Sequence, residues 1–133
     1  MKNKKKGFTI VELIFVIVII GILAIVAVPV YRGYVRRSMT TEAKNLLSDI
    51  NIGERSYFYR TGKMYATVGK ETSSPKIGVD SRRNKYFTSY NITTNESLGT
   101  FVAVTSFNNK ALTLRSSITG KPEIVDSFSN QAD

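Results

Sequence analysis

The 133-residue chain contains no cysteine and no histidine. That removes the thiol and imidazole ligands on which most zinc, copper and iron sites depend, together with every Ser-His or Cys-His nucleophile pair. The sequence therefore points away from an enzyme, implies no metal and no cofactor, and offers no disulfide to staple the fold. Acidic residues are also few, 10 against 19 basic. Between Gly7 and Arg32 the only side chain charged at neutral pH is Glu12.

What fills that uncharged interval is an apolar run over residues 13–31. A helix rising ~1.5 Å per residue carries such a run across a hydrocarbon core of roughly 30 Å, so it reads as a membrane-spanning helix. Lys2, Lys4, Lys5 and Lys6 precede it as the positive region of a targeting segment held on the cytoplasmic side. An ordinary secretory signal has a shorter apolar region ending in small residues, whereas this one continues through Val26-Ala27-Val28-Pro29-Val30. Glu12 stands at the start of the helix, where an unneutralised carboxylate is costly, so it needs a partner or a function.

The stretch Lys4-Lys5-Lys6-Gly7-Phe8-Thr9-Ile10-Val11-Glu12-Leu13 resembles the N-terminus of the type IV pilins and their type II secretion pseudopilin relatives, which are prepilins with a class III leader peptide. Thr9, Pro29 and the aromatic and basic exit over residues 31–37 fit the same pattern. The resemblance implies cleavage between Gly7 and Phe8, with Gly7 letting the peptidase approach the backbone closely. It further implies N-methylation of Phe8, and pairing of Glu12 with the Phe8 amine of a neighbouring subunit during assembly. Removing the four leader lysines leaves 15 basic residues against 10 acidic, a net charge of +5. Gly21 and Pro29 both weaken the helix and mark an expected kink or melted segment. The disulfide that closes a C-terminal loop in many pilins is absent here.

The implied partners are copies of the chain in a helical fibre, a prepilin peptidase that also methylates, and an inner-membrane assembly platform with a motor ATPase. The implied localisation is the inner membrane as a subunit store, then the extracellular surface. The leading reading is a structural subunit of a type IV pilus serving adhesion, motility or DNA uptake. One alternative is a pseudopilin of a type II secretion system. Its major form often carries an acidic calcium loop near the C-terminus, where this chain has only Glu123, Asp126 and Asp133. A third reading, from another class, is a membrane-anchored or tip binding module for DNA or a surface.

Beyond the apolar run, Met39, Ala43, Leu46, Leu47, Ile50, Tyr57 and Phe58 recur at spacings of three and four, which predicts that the helix continues with one apolar face over residues 32–59. Such a helix, starting at Phe8, is roughly 75–80 Å long at ~1.5 Å per residue, more than a small domain needs for its own core. Residues 60–85 turn to Gly62, Gly69, Ser73, Ser74, Pro75 and Gly78, and read as an irregular connection. Its Gly62-Lys63-Met64-Tyr65 segment resembles the Gly-x-Tyr turn of the family.

Residues 86–94, 100–107, 111–118 and a short run near 123–128 are rich in β-branched and aromatic residues. Asn108-Asn109-Lys110 and Thr119-Gly120-Lys121-Pro122 supply turns between them. The predicted fold is α+β, with the second half of one long helix packed on an antiparallel sheet of three to four strands. The divisions are 1–7 leader, 8–31 membrane and fibre-core helix, 32–59 amphipathic continuation, 60–85 connection, and 86–133 sheet and tail. Arg82, Arg83, Lys85, Lys110, Arg115 and Lys121, near Tyr86 and Tyr90, are a candidate basic surface patch for nucleic acid or an anionic surface. Tyr31, Tyr34, Tyr57, Phe58 and Tyr59 are assigned to packing and interface anchoring. Asn91-Ile92-Thr93 and Asn95-Glu96-Ser97 match the short glycosylation acceptor pattern.

Overall fold

The computed structural model describes residues 7–126. A single helix, α1 (Ile10–Thr61), is followed by a two-residue-strand hairpin, β1 (Ser73–Ser74) with β2 (Val79–Asp80). A four-stranded antiparallel meander then runs β3 (Tyr90–Asn95), β4 (Thr100–Phe107), β5 (Lys110–Ser117), β6 (Glu123–Asp126) in spatial order. The chain divides into two compact units after Arg37.

In the first unit, α1 passes through Gly21 and Pro29 without interruption. The melting expected there is not found in the single chain, although Pro29 contributes no N–H to the helix. No residue of α1 before Ala43 is buried.

In the second unit, Ala43, Leu46, Leu47 and Ile50 of α1 are buried, with Met39, Tyr57 and Phe58 packed at their margin. The helix ends two residues past the expected Tyr59. Gly62 takes up a left-handed φ of 71° and donates to the Phe58 carbonyl at 2.7 Å, which closes the last turn as glycine does best. In β4, Phe101, Ala103 and Thr105 face inward while Val102, Val104 and Ser106 face out. In β5, Leu112, Leu114 and Ser116 face inward. Period-two alternation thus buries one face of the meander together with Phe87, Tyr90 and Ile92 in the same core as the helix stripe. Asn108 and Asn109 both hold positive φ, 47° and 61°, making the tight β4–β5 turn that this residue type tolerates.

Two features of the connection differ from the sequence reading. It contains the small β1–β2 hairpin, turned at Gly78 with φ 72°. The first strand of the meander begins at Tyr90 and not at residue 86, because the backbone just before it is bonded elsewhere. The Glu42 carboxylate accepts the N–H groups of Lys85 at 3.0 Å, Tyr86 at 2.7 Å and Phe87 at 2.7 Å. Donors engaged in that way cannot enter a ladder.

Other side chains of α1 hold the rest of the second unit in the same manner. Glu54 accepts the Tyr65 N–H at 3.2 Å, Arg60 donates to the Lys76 carbonyl at 3.0 Å, and Arg55 donates to the carbonyls of Ser117 and Gly120. Gly53 meets residue 77 so closely that a Cβ would collide with the Ile77 carbonyl oxygen. The outer edge of β3 is bridged by the connection, through Thr67 to Ile92 and Glu71 to Tyr90. The short final run ends at Asp126 in the described residues, and its expected last two positions lie outside them.

Candidate assembly site

The N-terminus of α1 is built by three residues. Thr9 precedes the first helical residue, and its hydroxyl accepts the Glu12 N–H at 3.3 Å. Glu12 reaches back, its Oε2 accepting the Thr9 N–H at 2.8 Å and the Thr9 hydroxyl at 2.9 Å. The two residues form a reciprocal capping box, which satisfies donors that a helix start otherwise leaves open. The T-x-x-E pattern ahead of an apolar run was the available sequence signal for this role of Thr9. Both bonds fall on Oε2, so Oε1 remains able to accept from a neighbouring chain.

Around this cap the surface is apolar. Phe8 is 80% exposed, and the large apolar side chains from Ile10 to Val30 all lie open. An 18-residue window of α1 has a mean hydropathy of 3.3 with none of it buried, so the helix is long and apolar enough to cross a membrane. Nothing among the described residues covers these side chains, and lipid or other subunits are the surroundings that suit them. Gly7 and Gly21 have open space around them.

Residues 2–28 match the prokaryotic N-terminal methylation motif. The chain is 40% identical over 84 residues to a fimbrial protein of Moraxella nonliquefaciens, covering 63% of this chain and 52% of that one. It is 46% identical over 52 residues to the type IV major fimbrial protein FimA of Dichelobacter nodosus, covering 39% and 32%. A type IV major alpha-pilin of Moraxella bovis is 35% identical over 79 residues, covering 59% and 50%. Over these matched residues the chain is similar to type IV pilins. Its matches span about half or less of the length of these relatives, and no solved structure matches it.

Of the six basic residues singled out in this chain, Lys110 and Arg115 take opposite strand parity in β5. Arg82 is turned onto Asp80, its Nε donating at 2.9 Å and its terminal nitrogen at 2.6 Å. Those hydrogen bonds from the Arg82 side chain, then the one from its backbone N–H, hold the Asp80 carboxyl down to about 2. Lys85 lies 5.2 Å from the centroid of the Tyr86 ring. Tyr86 in turn meets Phe107, opposite Lys110, so the β4–β5 turn lies at the same end of the sheet. Lys110 shares its strand parity with inward Leu112, whereas Arg115 is exposed on the outer face, opposite Glu123. Tyr90 is buried and cannot stack on a base from solution. Two acidic residues that sequence reasoning passed over, Glu42 and Glu54, prove to be the carboxylates that grip the connection.

Proposed function

We propose that this chain is a structural, non-catalytic subunit of a type IV pilus, made as a prepilin, cleaved between Gly7 and Phe8 and methylated on the Phe8 amine. Residues 1–7 act as leader, 8–31 as membrane anchor and later fibre core, 32–59 as the amphipathic helix, 60–85 as connection and 86–133 as the outer sheet domain and tail. The observation that carries this reading is the apolar first half of α1, exposed over residues 10–30, which starts with the methylation motif and a single carboxylate.

Apolar packing between such helices supplies affinity, and a charge pair in low dielectric fixes their register. Glu12 Oε1 would accept the Phe8 amine of the next subunit while Oε2 stays with Thr9 of its own chain. Gly21 and Pro29 would unwind in the fibre, where neighbouring helices satisfy the freed carbonyls. A leader peptidase with methyltransferase activity, an inner-membrane platform and a motor ATPase are the partners this route requires. The naming of the relatives as fimbrial proteins favours a pilus over a secretion fibre. N-terminal mass spectrometry of sheared surface fibres tests the reading. A methylated Phe8 start in the main fibre protein is the expected result, and an intact Met1 start in assembled material refutes it.

A further inference from the structure

Glu54 occupies the helix stripe otherwise filled by Leu47, Ile50 and Gly53, and it is fully buried. Its Oε2 accepts only the Tyr65 N–H, and Oε1 has no hydrogen-bond partner. A buried carboxylate with one oxygen unserved is costly, and the neutral acid is the form this site accommodates.

No cation among the described residues pairs with it. Arg55, next in sequence, is committed to the carbonyls of Ser117 and Gly120. From the connection, Lys76 sits 5.6 Å from the centroid of the Tyr65 ring, and the Tyr65 hydroxyl donates to the Glu71 carboxylate at 2.8 Å. From the sheet, the Tyr90 hydroxyl is buried without a partner among the described residues, and burial first, then the Glu71 charge, disfavours its ionisation. None of these contacts reaches Glu54 itself. Burial pushes its carboxyl up to about 7, with the Tyr65 N–H pulling the other way.

The chain that covers Glu54 is irregular. Residues 62–66 form neither helix nor strand. We propose that Glu54 is a proton-operated latch on the connection: as the neutral acid it stays buried against Tyr65, and on ionisation residues 62–66 open locally while the sheet stays folded. The latch needs no second subunit, so it stands or falls separately from the pilus reading.

A group raised in the closed state favours closure fully below its ordinary value of 4.5. That preference is lost as pH rises from there to about 7, and is flat above. Residue-resolved hydrogen exchange on the full chain in detergent micelles, corrected for intrinsic rates, measures it at pH 5 and pH 8. Protection of the Tyr65 amide falls by tens of fold on the linkage relation, while Leu112 and Leu114 in β5 hold steady. Glu54→Gln abolishes the step, and Glu54→Met serves the same purpose if the glutamine variant does not fold. Equal Tyr65 protection at the two pH values, a step that persists in the neutral variant, or a parallel loss at Leu112 and Leu114 each overturns the proposal.

Discussion

Replacing Glu42 by alanine removes one acceptor group from three successive backbone donors. Lys85 is exposed and turns to water at little cost, but Tyr86 is half-buried and Phe87 is buried in the core. Both donate to the same oxygen at 2.7 Å, a length typical of charge-assisted bonds. A buried donor left open costs about 1–3 kcal/mol, so two of them place the loss at about 3 kcal/mol. That is a large part of the 5–15 kcal/mol that holds a typical domain folded. For a domain of this size it lowers Tm by roughly 10–20 °C. Glu42→Gln keeps an oxygen for Tyr86 and Phe87 and loses only the Lys85 contact, so it should cost about 1 kcal/mol. Thermal melts of both variants in detergent, followed by near-ultraviolet dichroism, provide the comparison. A Glu42→Ala variant melting within about 2 °C of wild type would show that the clamp contributes nothing and that residues 85–87 are placed by packing alone.

Gly53→Ala drives a methyl into the Ile77 carbonyl and should destabilise by about 1–3 kcal/mol, read as a lower denaturant midpoint at unchanged m. Asn109→Val forces a β-branched residue to a φ of 61° and should cost about 1–2 kcal/mol, whereas Asn109→Gly should not destabilise; melts of the two variants separate them. Glu12→Ala should leave processed protein at normal membrane levels yet yield few fibres, since losing one side of a buried pair costs about 3–5 kcal/mol per contact; Glu12→Gln should be intermediate at best. Counting sheared fibres beside a membrane blot decides this, and wild-type fibre yield from Glu12→Ala would sink the pairing mechanism.

The parts of the fold legible in the sequence were those written as periods. Leu46, Leu47 and Ile50 at helical spacing, and Phe101, Ala103, Leu112 and Leu114 in alternation, marked their buried faces because burial repeats with backbone geometry. The motif around Gly7 and Glu12 was legible because it is contiguous in the chain and needs no long-range contact to be read. The start of β3 was not, since Tyr86 and Phe87 suit a strand by composition, and what keeps them out is Glu42, more than 40 residues earlier. Glu54 interrupts the apolar stripe four residues after Ile50, so a signal for it existed. Its meaning depends on which backbone covers it, and no local pattern carries that. The basic residues were grouped by type, but strand parity sets Lys110 and Arg115 apart and Arg82 is turned onto Asp80.

The grips that α1 exerts through Glu42, Glu54, Arg55 and Arg60 all close on main-chain atoms: N–H groups at 65 and 85–87, and carbonyls at 76, 117 and 120. Every residue type carries those atoms, proline alone lacking the N–H. Outside core positions such as Phe87, the held segments can therefore exchange side chains without losing these bonds. One fixed helix can in this way hold many different surfaces.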